Sequence, residues 1–385
     1  MHVVVIGAGV VGLSVASSLA ERGASVTVVE QHAPGSGTTA TSYAWVNANN
    51  KVPDSYYRLN HAGLEAHRAL ARDGRGDWLV AHGHLEFATD DAHVRDLSDR
   101  ADRLAGLGYD LERVTAARAR ELVPGLRVPR DLELAVHFRA EAHCFPQRYV
   151  AFQLQRARSL GVTIRRGAKV TGLTSDGRPT VSLADGASLR PDQVVLAVGR
   201  WTGPLLATAG VDLAMAEFTE PGDLTVGYLA TTEPVPAELD CLVTSPRLNL
   251  RPDGGGRIML QALDLDATAD PRDVPTPDSD LGQEFVSRLA EVLDDTAQAR
   301  LERLVVGQRA MPPDGLTVVG RVAGHPSFYV VATHSGVTLA PVLGEGAARE
   351  ITGGSEALFD DFRPDRLLGA TGVPPPDRPR RPGEQ

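Results

Sequence analysis

The chain has 385 residues, 42% of them hydrophobic and 23% charged, with a formal net charge of -10 and a pI near 5.6. That length exceeds one ordinary hydrophobic core, so two packed domains are expected. The acidic balance argues against a nucleic-acid or anionic-membrane partner, because both need a concentrated basic surface.

In chain order, His2 to Ile6 is a β-branched run, glycines punctuate residues 7 to 12, and Leu13 to Arg22 reads as a helix ended by Gly23. Ala24 to Glu30 follows as a second buried strand. Val-rich strands without alternation point to a parallel sheet covered on both faces, the product of a βαβ unit. No basic segment precedes the apolar start and glycine interrupts it, so it reads as a strand and helix, not a signal or membrane segment; the expected location is the cytoplasm. A small-residue loop, 35 to 42, leads to a helix over Tyr56 to Asp73. Residues 86 to 144 mix short strands with charged helical stretches, Asp91 to Leu107 and Thr115 to Leu122. Tyr149 to Leu160 reads as a helix, and Val162 to Arg165, Lys169 to Leu173 and Gln193 to Ala197 read as strands. Long strands and a helix near Asp280 to Leu293 fill 211 to 306. A strand over Phe328 to Ala332, a glycine turn and a helix over Thr338 to Ile351 then repeat the grammar of the N-terminus. The Pro- and Arg-rich end is expected to be disordered.

Gly7-Ala8-Gly9-Val10-Val11-Gly12 fits G-x-G-x-x-G, between a strand and a helix, with Glu30 ending the next strand. Gly7 permits the tight turn, Gly9 lets the backbone approach a pyrophosphate, and Gly12 allows close helix–strand packing. The helix N-terminus adds N–H donors for the anion. Glu30 suits ribose hydroxyls and repels a 2′-phosphate, which favours FAD or NAD over NADP. Cys144 and Cys241 lack any CxxC spacing, so neither a disulfide framework nor a metal site is indicated.

Further motifs separate the two cofactors. These are the loop Ser36 to Ser42, Gly83-His84-Leu85-Glu86-Phe87-Ala88, Leu196-Ala197-Val198-Gly199-Arg200-Trp201, Arg309-Ala310-Met311-Pro312-Pro313-Asp314-Gly315, and Thr333-His334-Ser335-Gly336-Val337-Thr338-Leu339-Ala340-Pro341. With the N-terminal fingerprint, their order resembles the D-amino-acid oxidase family of flavoenzymes, which includes glycine oxidase and sarcosine oxidase, over nearly the whole chain. The resemblance implies an α/β and α+β fold: a discontinuous Rossmann-like FAD-binding domain (1–85, 145–210 and 312–366), a substrate-binding domain on a mixed sheet with helices (86–144 and 211–311), and a disordered tail (367–385).

It also implies noncovalent FAD, because no cysteine precedes Arg309 and no histidine lies in the 36 to 42 loop. Cofactor contacts are expected from Gly7, Gly9, Val10, Val11, Gly12, Glu30 and Gln31, from Ser36, Thr38, Thr39, Thr41 and Ser42, and from Lys169, Val170, Ala197, Gly199 and Trp201. Arg309, His334, Gly336, Val337 and Thr338 complete the set. The last helix would aim N–H groups at the flavin pyrimidine edge, with Pro341 in its first turn.

The expected reaction is oxidation of the C–N bond of a small amine or amino acid by hydride transfer to flavin N5, giving an imine that hydrolyses. Oxidation of a 2-hydroxy acid and an FAD-bearing subunit that needs a partner are the alternatives. Arg309 is the candidate grip for a substrate carboxylate, while His334, Lys51, Tyr43 and Asn47 are further candidates. The second carboxylate-binding arginine of glycine oxidase-like relatives is missing after His334. The basic residues are nearly all arginine, the lysines being Lys51 and Lys169. Residues 86 to 144 and 211 to 306 therefore hold no lysine to activate dioxygen, which leaves dioxygen and another electron acceptor both open.

Overall fold

The computed structural model describes residues 1–72, 76–175 and 177–370. Among these, the strands gather into one six-stranded sheet, one eight-stranded sheet and two three-stranded ones. His2–Ile6 lies near the middle of the first, parallel to Gln193–Leu196 on one side and Ser25–Glu30 on the other. Thr163–Arg166 extends it in parallel beyond Ser25–Glu30, and His325–Ala332 does so beyond Gln193–Leu196, with antiparallel Val318–Val322 at the edge. The valines of the central strands are fully buried, as expected for a sheet covered on both faces. The N-terminal helix, Val10–Glu21, and the last helix, Gly336–Ile351, pack over it. Their approach is close: a Cβ on Gly344 would come within 2.7 Å of the Ser14 backbone.

The eight-stranded sheet runs, in space, Leu301–Gln308, Val226–Thr232, Arg257–Gln261, Asn249–Gly254, Leu242–Thr244, His84–Ala88, Leu134–Phe138 and Leu111–Val114. It is antiparallel except where Leu242–Thr244 runs beside His84–Ala88. His84–Ala88 belongs wholly to this sheet, so the chain crosses between the two sheets by Gly83, not at 85/86. One face packs a core around Leu85, Phe87, Tyr228, Leu250 and Phe285; Tyr43, Trp45, Leu229, Leu242 and Met259 form a separate apolar cluster.

The C-terminal boundary also differs from expectation. Leu367 is buried in a short helical turn and Leu368 bridges Leu213, so ordered packing continues past 366. Residues 371–385 of the expected tail lie outside the described residues, as does Asp73 of the helix observed over Asp54–Arg72. No helix among the described residues is long and apolar enough to cross a membrane.

The last helix starts at Gly336, two residues before the predicted start, because the backbone turns at Ser335, its N-cap. Pro341 is consequently inside the helix and not in its first turn. A proline there cannot donate to the carbonyl four residues back, which is that of Val337. His67 compensates: its buried Nε2 lies 2.7 Å from that oxygen and donates to it. Burial brings His67 down to about 4 despite this bond, so the ring is neutral at pH 7. The folded value lies below the unfolded one, so the contribution is complete above about pH 6.5 and is lost as pH falls towards 4. His67→Leu is expected to cost about 1–3 kcal/mol at pH 7 by orphaning the carbonyl. It should also remove up to about 3 kcal/mol of the stability that wild type loses between pH 6.5 and 4. Urea midpoints at pH 7 and 4.5 check both; equal acid slopes in the two proteins would refute the assignment.

Candidate active site

The ends of the parallel strands open into a cleft of about 850 Å³. Its first wall is built by the glycine turn. Gly7 has φ +99°, and a Cβ on Gly12 would sit 2.0 Å from the Gly7 carbonyl oxygen, so the helix can begin this close to the strand only without side chains at either position. A Cβ on Gly9 would reach 3.3 Å from Thr39 Oγ1, narrowing the cleft where the backbone is otherwise bare. Glu30 closes one end. Its Oε2 accepts from the Ala8 N–H at 2.9 Å and its Oε1 from the His32 N–H at 2.8 Å, which fixes the carboxylate between the turn and the strand end.

The opposite wall is the 38–42 loop. The Val10 N–H donates to Thr39 Oγ1, and Thr38 Oγ1 donates to the Gln308 carbonyl at 2.8 Å, tying the loop to both sheets. Gly307 makes that approach possible, since a Cβ there would lie 2.7 Å from the Thr41 oxygen. Trp201, 40% exposed, flanks the opening with the Arg200 guanidinium stacked 3.8 Å from its ring centre. At the far end stand His334, Gly336 and Val337, at the start of the last helix, where first-turn N–H groups lack intrahelical acceptors.

The structure brings Gly7, Gly9, Val10, Val11, Glu30, Gln31, Ser36, Thr38, Thr39, Thr41, Ser42, Lys169, Val170, Ala197, Gly199, Trp201, His334, Gly336 and Val337 to this one cleft. It does not bring Gly12, Thr338, Arg309, Tyr43, Asn47 or Lys51 to its lining. Gly12 lies beneath the turn. Asn47 and Thr338 are buried and joined, the Asn47 N–H donating to Thr338 Oγ1 and Thr338 Oγ1 to the Trp45 carbonyl. Tyr43 is buried in the cluster with Trp45 and Met259, and burial raises its phenol pKa. Lys51 is buried behind the helix start with Nζ 3.3 Å from Ser335 Oγ. Ser335 Oγ also accepts from Tyr56 OH at 3.0 Å, and that hydroxyl is 3.2 Å from His334 Nε2. His334 Nε2 is 3.0 Å from the Gly315 carbonyl and so carries the ring proton on that side.

Arg309 points elsewhere because its guanidinium is already engaged. Nη1 donates to the Val226 and Leu224 carbonyls, and Nη2 faces buried Asp266 at 3.7 Å. Asp266 in turn accepts from the Tyr228 N–H at 2.7 Å.

Several residues at or near the site escaped the sequence reading. His32, Arg200, Gln308 and Ala310 line the cleft. Beneath the 43–51 loop lies a buried ionic network: Arg100 grips Glu86 in bidentate fashion at 3.0 and 2.6 Å, donates to Asn49 Oδ1 at 3.1 Å, and shares Glu86 with His93. Glu141, also buried, accepts from the Trp45 indole at 2.7 Å and from Tyr109 OH at 2.9 Å. The available signal was an acid inside the apolar strand Gly83 to Ala88, which cannot be buried without a partner.

A parallel sheet with a glycine turn, an acidic strand end and a long cleft at the carboxyl ends of its strands defines a dinucleotide-binding protein. A family model described as FAD dependent oxidoreductase (DAO) matches residues 2–350, and the chain belongs to that family. The protein is an FAD-dependent oxidoreductase. It is 24% identical to a glycine oxidase of Geobacillus kaustophilus over 382 residues, covering 96% of this chain and 98% of the relative. It is 29% identical to a D-amino acid dehydrogenase of Methylobacterium radiotolerans, covering 93% and 99%. The crystal structure of glycine oxidase from Geobacillus kaustophilus superimposes with a TM-score of 0.83 at 22% identity, covering 96% of this chain and 99% of that one. L-proline dehydrogenase from P. horikoshii does so with 0.82, also at 22% identity, covering 95% and 97%. The cleft fits FAD on its own terms: bare backbone at the turn, a fixed carboxylate at one end and a helix start at the other.

Proposed function

We propose that the protein oxidises the C–N bond of a small amine or amino acid. The observation that carries the reading is the cleft's far end, where a helix start and His334 border the cleft while the neighbouring loop packs Tyr43 and Trp45 against Met259 and Leu229. FAD, when bound, would supply the two-electron oxidant that accepts a hydride from the carbon bearing nitrogen; the amine nitrogen's lone pair would form the C=N bond, and water would hydrolyse the released imine.

In this reading Glu30 accepts from the ribose hydroxyls with its remaining lone pairs, and the turn at Gly9 to Val11 presents N–H groups to the pyrophosphate. The N–H groups of Gly336 and Val337 would donate to the cofactor's pyrimidine edge and would favour negative charge there. Lys51 braces that helix start from behind through Ser335. His334, held by the Gly315 carbonyl and Tyr56, orients the substrate amine. Tyr43 and Asn47 shape the loop. Arg309, neutralised by Asp266, ties the sheet edge instead of gripping a carboxylate. FAD is held noncovalently: Cys144 and Cys241 are buried away from the cleft, and burial raises the thiol pKa of both.

The test is anaerobic mixing of the yellow protein with amino acids, N-methyl amino acids, amines and 2-hydroxy acids while following flavin bleaching. Bleaching by an amine is expected; bleaching by hydroxy acids alone overturns the proposal. Readmitting air then distinguishes dioxygen from another acceptor by the speed of recovery.

A further inference from the structure

A second cavity, of about 440 Å³, lies on the other side of the 38–42 loop. Thr39 and Ser42 line it as well as the FAD cleft, so the loop is a common wall. Its remaining walls come from the start of the helix Pro146–Ser159, from the hairpin joining Asn249–Gly254 to Arg257–Gln261, and from Arg303 on the sheet edge.

Four guanidinium groups line this space, those of Arg148, Arg251, Arg257 and Arg303, against one carboxylate, Asp253. That excess is pronounced for a chain of net charge -10. Arg251 is 1% exposed and fixed as the floor: Nε donates to the Tyr43 carbonyl at 2.6 Å and Nη1 pairs with Asp253 at 2.9 Å. Arg257 pairs with Glu302. Arg148 donates to the Asp77 carbonyl and stacks 4.8 Å from the Phe145 ring centre, which leaves its charge uncompensated. Arg303 follows Glu302 on the sheet edge, and the Glu302 carboxylate, paired with Arg257, also feels the Arg303 charge. Thr231, register partner of both Arg303 and Met259, is 5% exposed, and its hydroxyl has no hydrogen-bond partner.

Arginines recognise carboxylates in bidentate fashion, and a space lined by four of them against the single carboxylate of Asp253 suits an anion. Met259 joins this cavity to the cluster of Tyr43 and Trp45. With Arg309 held by Asp266, a substrate carboxylate needs cations from elsewhere. We propose that the second cavity is a carboxylate subsite, with Arg148 and Arg303 as its gripping cations, and that the substrate is an amine bearing an acidic group remote from the oxidised carbon. The substrate half of this assignment rests on the amine reading above.

The test uses the FAD-loaded protein and succinate, an unreactive dicarboxylate, titrated by calorimetry into wild type and an Arg148→Glu/Arg303→Glu variant. The variant's affinity is expected to fall by at least about tenfold. Succinate should also compete with whichever amine bleaches the flavin. No succinate binding to wild type, equal binding to the variant, or binding that leaves amine bleaching unaffected each overturns the proposal. If no amine bleaches the flavin, the proposed function fails while the calorimetry still reads the subsite. Should the double variant fold poorly, Arg303→Gln at its exposed edge position carries the same comparison, with a smaller expected loss.

Discussion

Replacing Gly7 with alanine is expected to yield a colourless protein. A Cβ at this position would lie 2.4 Å from the Ala197 carbonyl oxygen and 3.0 Å from its carbon, and φ is +99°. Neither conflict relaxes easily. The Gly7 N–H is held by Val29, and the Ala197 N–H by Ile6, each at 2.9 Å, so the clashing atoms belong to strand ends locked in the centre of the sheet. Left-handed strain costs about 1–2 kcal/mol and overpacking about 1–3 kcal/mol more. Shifting the turn by the required ångström also removes the N–H groups from the pyrophosphate. FAD affinity should therefore fall by roughly 30-fold or more, a loss of about 2 kcal/mol or above. Gly23→Ala is the control, since its φ of +80° carries the same left-handed cost but nothing lies within 4 Å of the added Cβ. The flavin-to-protein absorbance ratio after purification, and FAD titration of the apoprotein, read the difference. A Gly7→Ala protein that retains a full complement of FAD would remove the turn from the cofactor site.

Arg100→Leu should be the most damaging substitution outside the cleft. It strands the Glu86 carboxylate, which is fully buried, and breaking such a pair costs about 3–5 kcal/mol. Burial alone would raise the Glu86 carboxyl, but the Arg100 charge and the hydrogen bonds from His93 and Arg100 outweigh it and bring the group to about 2. A depressed folded value means stability that is present above about pH 4.5 and lost as pH falls towards 2. In the variant the carboxyl is neutralised by protonation instead. The gap between wild type and variant should be widest at neutral pH and should narrow on acidification. Glu86→Leu/Arg100→Leu should recover much of the loss, because no charge is left unpaired. Urea midpoints at pH 7 and 3.5 for wild type and the two variants supply the comparison; a constant gap across pH would show that Glu86 is not the stranded group.

The N-terminal half of the cofactor site was legible because local rules dictate it. Strand, G-x-G-x-x-G and Glu30 lie within thirty residues, and each glycine answers a short-range steric demand. Helices such as Asp91–Gly106 were legible from capping and period, Asp90 accepting from the Ala92 and His93 N–H groups. Partnerships across the fold were not. Nothing near Pro341 announces that His67 replaces its missing donor, since those residues are brought together only by packing of the helix Asp54–Arg72 against the last one. Arg309 sits in a family-like motif, yet its environment is set by Asp266, which no spacing rule connects to it. The second cavity draws on four separated segments, so its charge exists only after folding.

The 38–42 loop has a further consequence. Because one backbone segment faces FAD on one side and the arginine-lined space on the other, the two occupants are thermodynamically linked. By whatever factor bound FAD alters the second cavity's affinity for an anion, the anion alters the affinity for FAD by that same factor. A protein loaded with cofactor and one stripped of it are then different receptors for an anion wherever that factor departs from one.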